Sequence, residues 1–365
     1  MLGSWSRTLR KLDPNLSRIF LSWGMRHPGH LRAFARLANA HKETQGLRAE
    51  AKAEDLKVPP FLILSITSRC NLFCAGCYAA AAGNINSKKM LDANFWTSVI
   101  REASELGVFG FVIAGGEPFM FPGLMDLCAE FQDRFFIIVT NGTALKEEDY
   151  ERLGKCKNTA VLVSLEGDKE MTDARRGEGT YDAAIDTIRR LSYEGVMTGL
   201  SVTIDRRNFR YWMDEGKVDE LIDAGVVIGA FIEYIPTPGD SELILTTEER
   251  KEFREKMLDY RENKKLYVIH SPGDEEFFGG CVSAGRGFAH VTPSGDLTPC
   301  PVSDIATNNL KHSSLREALG SRLFEEIRKN EHLLETEGIP CALFSHPKEV
   351  DELAKEVGAY RTRKK

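Results

Sequence analysis

No uninterrupted apolar run in these 365 residues approaches the ~20 that a membrane-spanning helix needs, so the chain is not expected to cross a bilayer. No secretory leader is expected from the first residues, so the eight cysteines are expected to be reduced thiols in a cytoplasm and not an extracellular disulfide framework. The eight histidines are scattered with no His-x-x-x-His pair, and neither an acid–base pair nor a nucleophile–histidine pair stands out. Positive charge is scarce: 48 Lys and Arg against 54 Asp and Glu leave a net charge of −6. Seven of the basic residues fall within 1–36, where Asp13 is the single acid, so residues 37–365 sum to −12. Nucleic acid is therefore not an expected partner of the main body. A hydrophobic content of 42% with 28% charged residues is that of an ordinary soluble globular protein.

What the chain does have is three cysteines within eight residues, Cys70-Asn71-Leu72-Phe73-Cys74-Ala75-Gly76-Cys77. They follow the apolar run Phe61-Leu62-Ile63-Leu64-Ser65-Ile66, which reads as a buried strand. Iron–sulfur clusters are held by closely spaced thiolates on such loops. Three thiolates on a four-iron cube leave one iron open to a substrate or cofactor. A structural zinc site usually takes four ligands, and no nearby Cys or His completes one here.

Cys70-x3-Cys74-x2-Cys77 after a strand, with Gly115-Gly116-Glu117-Pro118 at the end of the next, resembles the paired motifs of radical S-adenosylmethionine (radical SAM) enzymes. The resemblance implies a [4Fe–4S] cluster on Cys70, Cys74 and Cys77 with S-adenosylmethionine on its open iron. Reduction of the bound molecule would then give methionine and a 5′-deoxyadenosyl radical that abstracts hydrogen from an unactivated C–H bond. A small donor such as ferredoxin or flavodoxin would supply the electron. The position before the third cysteine, often aromatic in the family and set against adenine, is Gly76 here, and Phe73 or Tyr78 is expected to take that contact.

From Phe61 to about Pro236 short apolar runs alternate with helical periods, the pattern of βα units on a parallel sheet. Strands are expected at 61–66, 109–114, 135–140, 160–165, 197–204 and 227–235, too few for a closed eight-stranded barrel. The expected fold is α/β, a partial (β/α)6 TIM-like barrel over 59–270. An N-terminal helical segment (1–58) precedes it and a small α+β extension (271–365) follows. Chemistry in such barrels sits at the carboxyl ends of the strands. There lie Gly115, Gly116 and Glu117, which by the resemblance would bind the amino group of S-adenosylmethionine. Ser164 and Ser201 would hold its ribose or carboxylate, and Thr140 and Asn141 would line the pocket. In Asp173-x-x-Arg176-Gly177, Arg176 would clamp the methionine carboxylate; the alternative is a surface pair between Asp173 and Arg176.

Leu16, Ile19, Phe20 and Trp23, with Arg18 off their face, and then Leu31, Phe34, Leu37 and Ala38 read as two amphipathic stretches. They either pack against the barrel or bring residues 1–40 to a membrane interface.

A second set, Cys281-x13-Gly295-x4-Cys300 followed by Cys341, resembles the start of the SPASM and twitch extensions of radical SAM enzymes, which bind auxiliary iron–sulfur clusters. Pro293-Ser294-Gly295-Asp296 reads independently as a hairpin turn. With fewer cysteines than a full SPASM module, this end can hold one auxiliary cluster, its fourth site left open or filled by His290, Asp296 or Asp304. Buried apolar cysteines are the alternative there, and small core residues are the expected reading of Cys128 and Cys156.

The resulting expectation is a cytoplasmic radical SAM enzyme acting on a lipid, an isoprenoid or acyl chain at a membrane surface. A peptide-modifying maturase and a non-catalytic iron–sulfur electron carrier are the alternatives.

Overall fold

The computed structural model describes residues 19, 23–81, 83–85, 90–236, 241–336 and 340–362. Seven strands, β1 (Phe61–Thr67), β2 (Gly110–Gly115), β3 (Phe135–Thr140), β4 (Thr159–Ser164), β5 (Met197–Ile204), β6 (Val226–Glu233) and β7 (Tyr267–Ser271), lie side by side in chain order, all parallel. Helices connect them, because neighbouring parallel strands need a crossover. The six expected strands are present and β7 adds a seventh to the same open sheet. The sequence reads as a short strand near 266–270, and the structure supplies what that reading left open, its parallel pairing with β6.

One face of the sheet is sealed by the helices, with Trp96, Phe111, Phe136, Trp212, Phe231, Phe253 and Tyr260 fully buried between the layers. The opposite, concave face carries Phe135, Ile137, Val139, Ala160, Leu162, Met197, Ala230, Tyr267 and Ile269. Ile19 and Trp23, each 3% exposed, pack together with Phe34 onto this face where the strands begin. Trp23 lies with its ring centroid 4.6 Å from those of both His27 and His30. Of the apolar side chains considered for a membrane interface, Ile19, Trp23 and Phe34 are thus packed on the sheet; Leu16, Arg18 and Phe20 lie outside the described residues. Trp23→Leu is expected to lower stability by about 1–3 kcal/mol in a denaturant titration, the usual range for loosening a packed core position.

The second amphipathic stretch is one long helix, Leu31–Ala53, whose inward face is Ala33, Leu37, Ala40, Thr44 and Ala51. Leu31 and Ala38 point outward, a correction to the expected face. Its period runs through small residues, which let the helix approach its neighbours closely and leave little trace in a search for large apolar side chains. Among the described residues no helix is long and apolar enough to cross a membrane.

The C-terminal extension grows out of the same sheet. Strand β8 (Phe288–Val291) pairs parallel with the free side of β1, and β9 (Leu297–Thr298) folds back antiparallel on β8. The expected hairpin turn joins them, with Gly295 at φ +91°, a conformation that favours glycine. Beyond it, β10 (Ile305–Ala306) pairs with β11 (Tyr360–Arg361), and Ser314 caps the helix Leu315–Leu319. The chain is tied down as far as Arg361, whose guanidinium pairs with Asp304 and Asp351.

Candidate active site

The loop that carries Cys70, Cys74 and Cys77 leaves β1 and is fastened at once to the end of β2. Gly116 N–H donates to Thr67 O (2.7 Å) and Glu117 N–H to Arg69 O (2.7 Å). Two glycines make this approach possible: a Cβ on Gly115 would stand 2.4 Å from Thr67 O, and one on Gly116 would stand 2.0 Å from Arg69 O. Both obstacles are backbone and cannot swing aside. Gly116→Ala is therefore expected to destabilise the fold by about 1–3 kcal/mol, the usual toll of overpacking, and to lower the iron retained per chain. Chemical denaturation and an iron assay check both.

All three thiols are free and half-buried. Burial raises the pKa of Cys70 and Cys74, and for Cys74 the nearby Arg176 pulls the other way. Among the described residues one set of three ligand atoms lies within 4.8 Å of one another, and it is His332, His346 and Glu349. Desolvated thiols held together beside an arginine are the donor set for an iron–sulfur cluster.

Glu117 is 1% exposed and its carboxylate is fully engaged: it accepts from Thr140 Oγ1 (2.7 Å), Asn141 N (2.8 Å) and Phe119 N (3.1 Å). Burial pushes this carboxyl above its ordinary pKa and those hydrogen bonds pull it back. Asn141 Nδ2 donates to Asn71 Oδ1 (2.9 Å), between Cys70 and Cys74, and Asn71 Nδ2 donates to Thr143 Oγ1 (2.7 Å). In the structure Glu117 braces β2 against β3, and the buried Thr140 and Asn141 support the cysteine loop from behind.

Arg176 ends the helix Lys169–Arg176, and its partner is the buried Glu166, at 2.7 Å from Nε and 2.5 Å from Nη2. The alternative pairing with Asp173 is not formed; Asp173 accepts from Tyr181 N (2.8 Å) and sits 3.3 Å from Lys169 Nζ. Arg175, which sequence reasoning passed over, also pairs with Glu166 and grips the cysteine loop twice: Ala75 N–H donates to its carbonyl (2.8 Å), and its Nε donates to Ala75 O (3.2 Å). Its signal was the doubled arginine in the motif.

Ser164 and Ser201 are register partners on β4 and β5. Strand alternation puts them on the concave face with Leu162 and Met197. Phe73 is 84% exposed at the tip of the loop, while Tyr78 is 39% exposed and begins the short helix Tyr78–Ala81. The aromatic ring beside Gly76 comes from elsewhere: buried Tyr234, just past β6, lies 3.1 Å from where a Gly76 Cβ would be. No local pattern could have announced a contact across 158 positions.

The second set gathers Cys281, Cys300 and Cys341 from three separate segments. Burial raises all three thiols, Cys281 to about 12 and Cys341 to about 11, and neighbouring thiols add to the shift of Cys281 and Cys300. The fourth ligands considered from sequence are engaged elsewhere. His290 lies between Ser65 Oγ and Thr298 Oγ1 (2.8 Å each), Asp296 accepts from Tyr360, Asn309 and Ser294, and Asp304 pairs with Arg361. Cys128 is a core residue as expected, and Cys156 is half-buried.

The model of the radical SAM superfamily matches residues 64–215 of the chain, from inside β1 through the cysteine loop to the helix after β5. Residues 64–215 therefore carry a radical SAM domain. The chain is 33% identical over 154 residues to Fe-coproporphyrin III synthase of Methanosarcina barkeri, a match over 41% of this chain and only 38% of that protein's length. It is 25% identical to the PqqA peptide cyclase of Gluconobacter oxydans, over 78% of this chain and 83% of that one. Streptococcus suis SuiB, solved with its precursor peptide SuiA, shares the fold at a TM-score of 0.67 and 18% identity, over 83% of this chain and 76% of that one.

Proposed function

We propose that the protein is a radical SAM enzyme that modifies a peptide, with a [4Fe–4S] cluster on Cys70, Cys74 and Cys77 and a second cluster on Cys281, Cys300 and Cys341. The observation that carries this is the loop of three free thiols locked to Gly115 and Gly116 at the mouth of the sheet. When bound, the first cluster supplies the electron that splits S-adenosylmethionine into methionine and a 5′-deoxyadenosyl radical able to take hydrogen from a C–H bond.

The chain's own residues do the positioning. Glu166 fixes the Arg176 guanidinium so that its planar fork can meet the methionine carboxylate. Ser164 and Ser201 offer hydroxyls on the concave face to the ribose, and Tyr234 or Tyr78 offers a ring to adenine. The apolar wall of Ile137, Val139 and Ile269 limits water around the reacting centre. The working units are residues 59–270 and 271–365, and a ferredoxin- or flavodoxin-like donor delivers the electron.

Two findings favour the peptide alternative over the lipid substrate read from sequence. Among the relatives are a peptide cyclase and a protein solved with a precursor peptide. The N-terminal side chains that suggested a membrane, Ile19 and Trp23, are covered by the barrel. Perdeuterated peptide and lipid fractions, each incubated with the reconstituted protein, S-adenosylmethionine and dithionite, separate the two. Deuterium is expected in 5′-deoxyadenosine from the peptide fraction; label arriving only from the lipid fraction would reverse the assignment.

A further inference from the structure

The second cysteine set has a companion that none of its sequence-based candidates supplied. Glu275 opens the short 3-10 turn Glu275–Phe278, and Gly279 (φ +69°) and Gly280 (φ +96°) then reverse the chain, with Gly280 N–H donating to Glu275 O at 3.0 Å. This reversal folds the carboxylate back over the next cysteine, where it is hydrogen-bonded to the Cys281 thiol and to Val282 N–H and lies within electrostatic reach of Cys341. Glu275 is 8% exposed. Its neighbour Asp274 is paired with Arg261 and accepts from His270 N (2.8 Å), whereas Glu275 has no ion-pair partner among the described residues. The nearest guanidinium, Arg286, is engaged with the carbonyls of Phe278, Gly279 and Cys281.

A buried carboxylate without a cation is expensive, and such groups are normally paired or bound to a metal. Here it lies against the Cys281 thiol and within electrostatic reach of Cys341, and the base nearby, Arg286, is spent on backbone carbonyls. A cluster of apolar core cysteines would account for the thiols and leave the acid unexplained. A polycationic iron–sulfur cluster accounts for both.

We propose that Glu275 is the fourth protein ligand of the cluster held by Cys281, Cys300 and Cys341, binding through a carboxylate oxygen. This rests on the reading of that set as a cluster site. It makes the second cluster fully ligated by protein and closed to substrate, in contrast to the open first one, and assigns it to electron transfer.

The test uses the full chain with Cys70, Cys74 and Cys77 all replaced by alanine, so that only the second cluster can load. This background is expected to carry about four irons with sulfide. Adding Glu275→Gln should lose one of them on mild oxidation, giving the EPR signal of a three-iron cluster, and Glu275→Cys should restore four irons with an altered EPR spectrum of the reduced state. If Glu275→Gln keeps four irons through oxidation, or Glu275→Cys leaves the spectrum unchanged, the assignment of Glu275 fails while the cluster stands. A background that binds no iron sinks the cluster reading itself. Should Glu275→Gln not fold, the Glu275→Cys spectrum decides alone.

Discussion

Cys70→Ala is expected to bring formation of 5′-deoxyadenosine from S-adenosylmethionine and dithionite down to the reagent blank, a loss of more than about 10³-fold. Groups that act as a unit lose nearly everything when one is removed. The three loop thiols form such a unit: they are the cysteines of that loop, and each is free and half-buried. Iron content should fall together with activity. Cys128→Ala is the matched control, because that side chain is a fully buried core residue away from both cysteine sets. It should cost some stability and leave iron and turnover nearly intact. A wild-type protein that holds its iron and sulfide yet forms no 5′-deoxyadenosine would instead support the electron-carrier alternative.

The second large effect is expected at Glu166, a residue outside the candidate ligand sets. Its side chain is 2% exposed, and the two guanidinium groups it holds, Arg175 and Arg176, are 10% and 12% exposed. Glu166→Gln keeps the shape and removes the charge, leaving two cations buried without compensation. Removing one member of a buried pair costs about 3–5 kcal/mol, so the denaturation midpoint should drop sharply. Because Arg175 also holds Ala75 in the cysteine loop, retained iron should drop with it. Contrast comes from the pair Arg101–Glu130 at 2.9 Å, whose side chains are 57% and 45% exposed. Arg101→Ala should change stability by less than about 1 kcal/mol, since water screens such pairs.

Features that depend on short stretches of chain were legible. The six strands, the turn at Gly295 and the spacing of the first three cysteines are each written within a dozen residues. Features that depend on pairs far apart were not. Glu166 with Arg176, Tyr234 beside Gly76 and Trp23 inside the barrel each require knowing which segments meet. The same holds for β7, whose place is fixed by its pairing with β6 and not by its own composition. Glu117 shows a third case: the motif was recognised, but which way a buried carboxylate turns is settled by the donors around it, Thr140 and Asn141. Glu275 was invisible because nothing in Asp-Glu-Glu-Phe distinguishes the acid that turns inward from those beside it.

The parallel pairing of β8 with β1, Leu64 opposite Val291, gives the strand that feeds the first cysteine loop two neighbours instead of one. Cut the molecule ahead of β8 and that strand becomes a bare rim, lined with unmet amides and carbonyls that invite a foreign strand. The two halves therefore cannot swivel about a linker or be handed out as separate modules. Whatever separation stands between the two groups of thiols is set by the ladder itself, as fixed as the spacing of rungs.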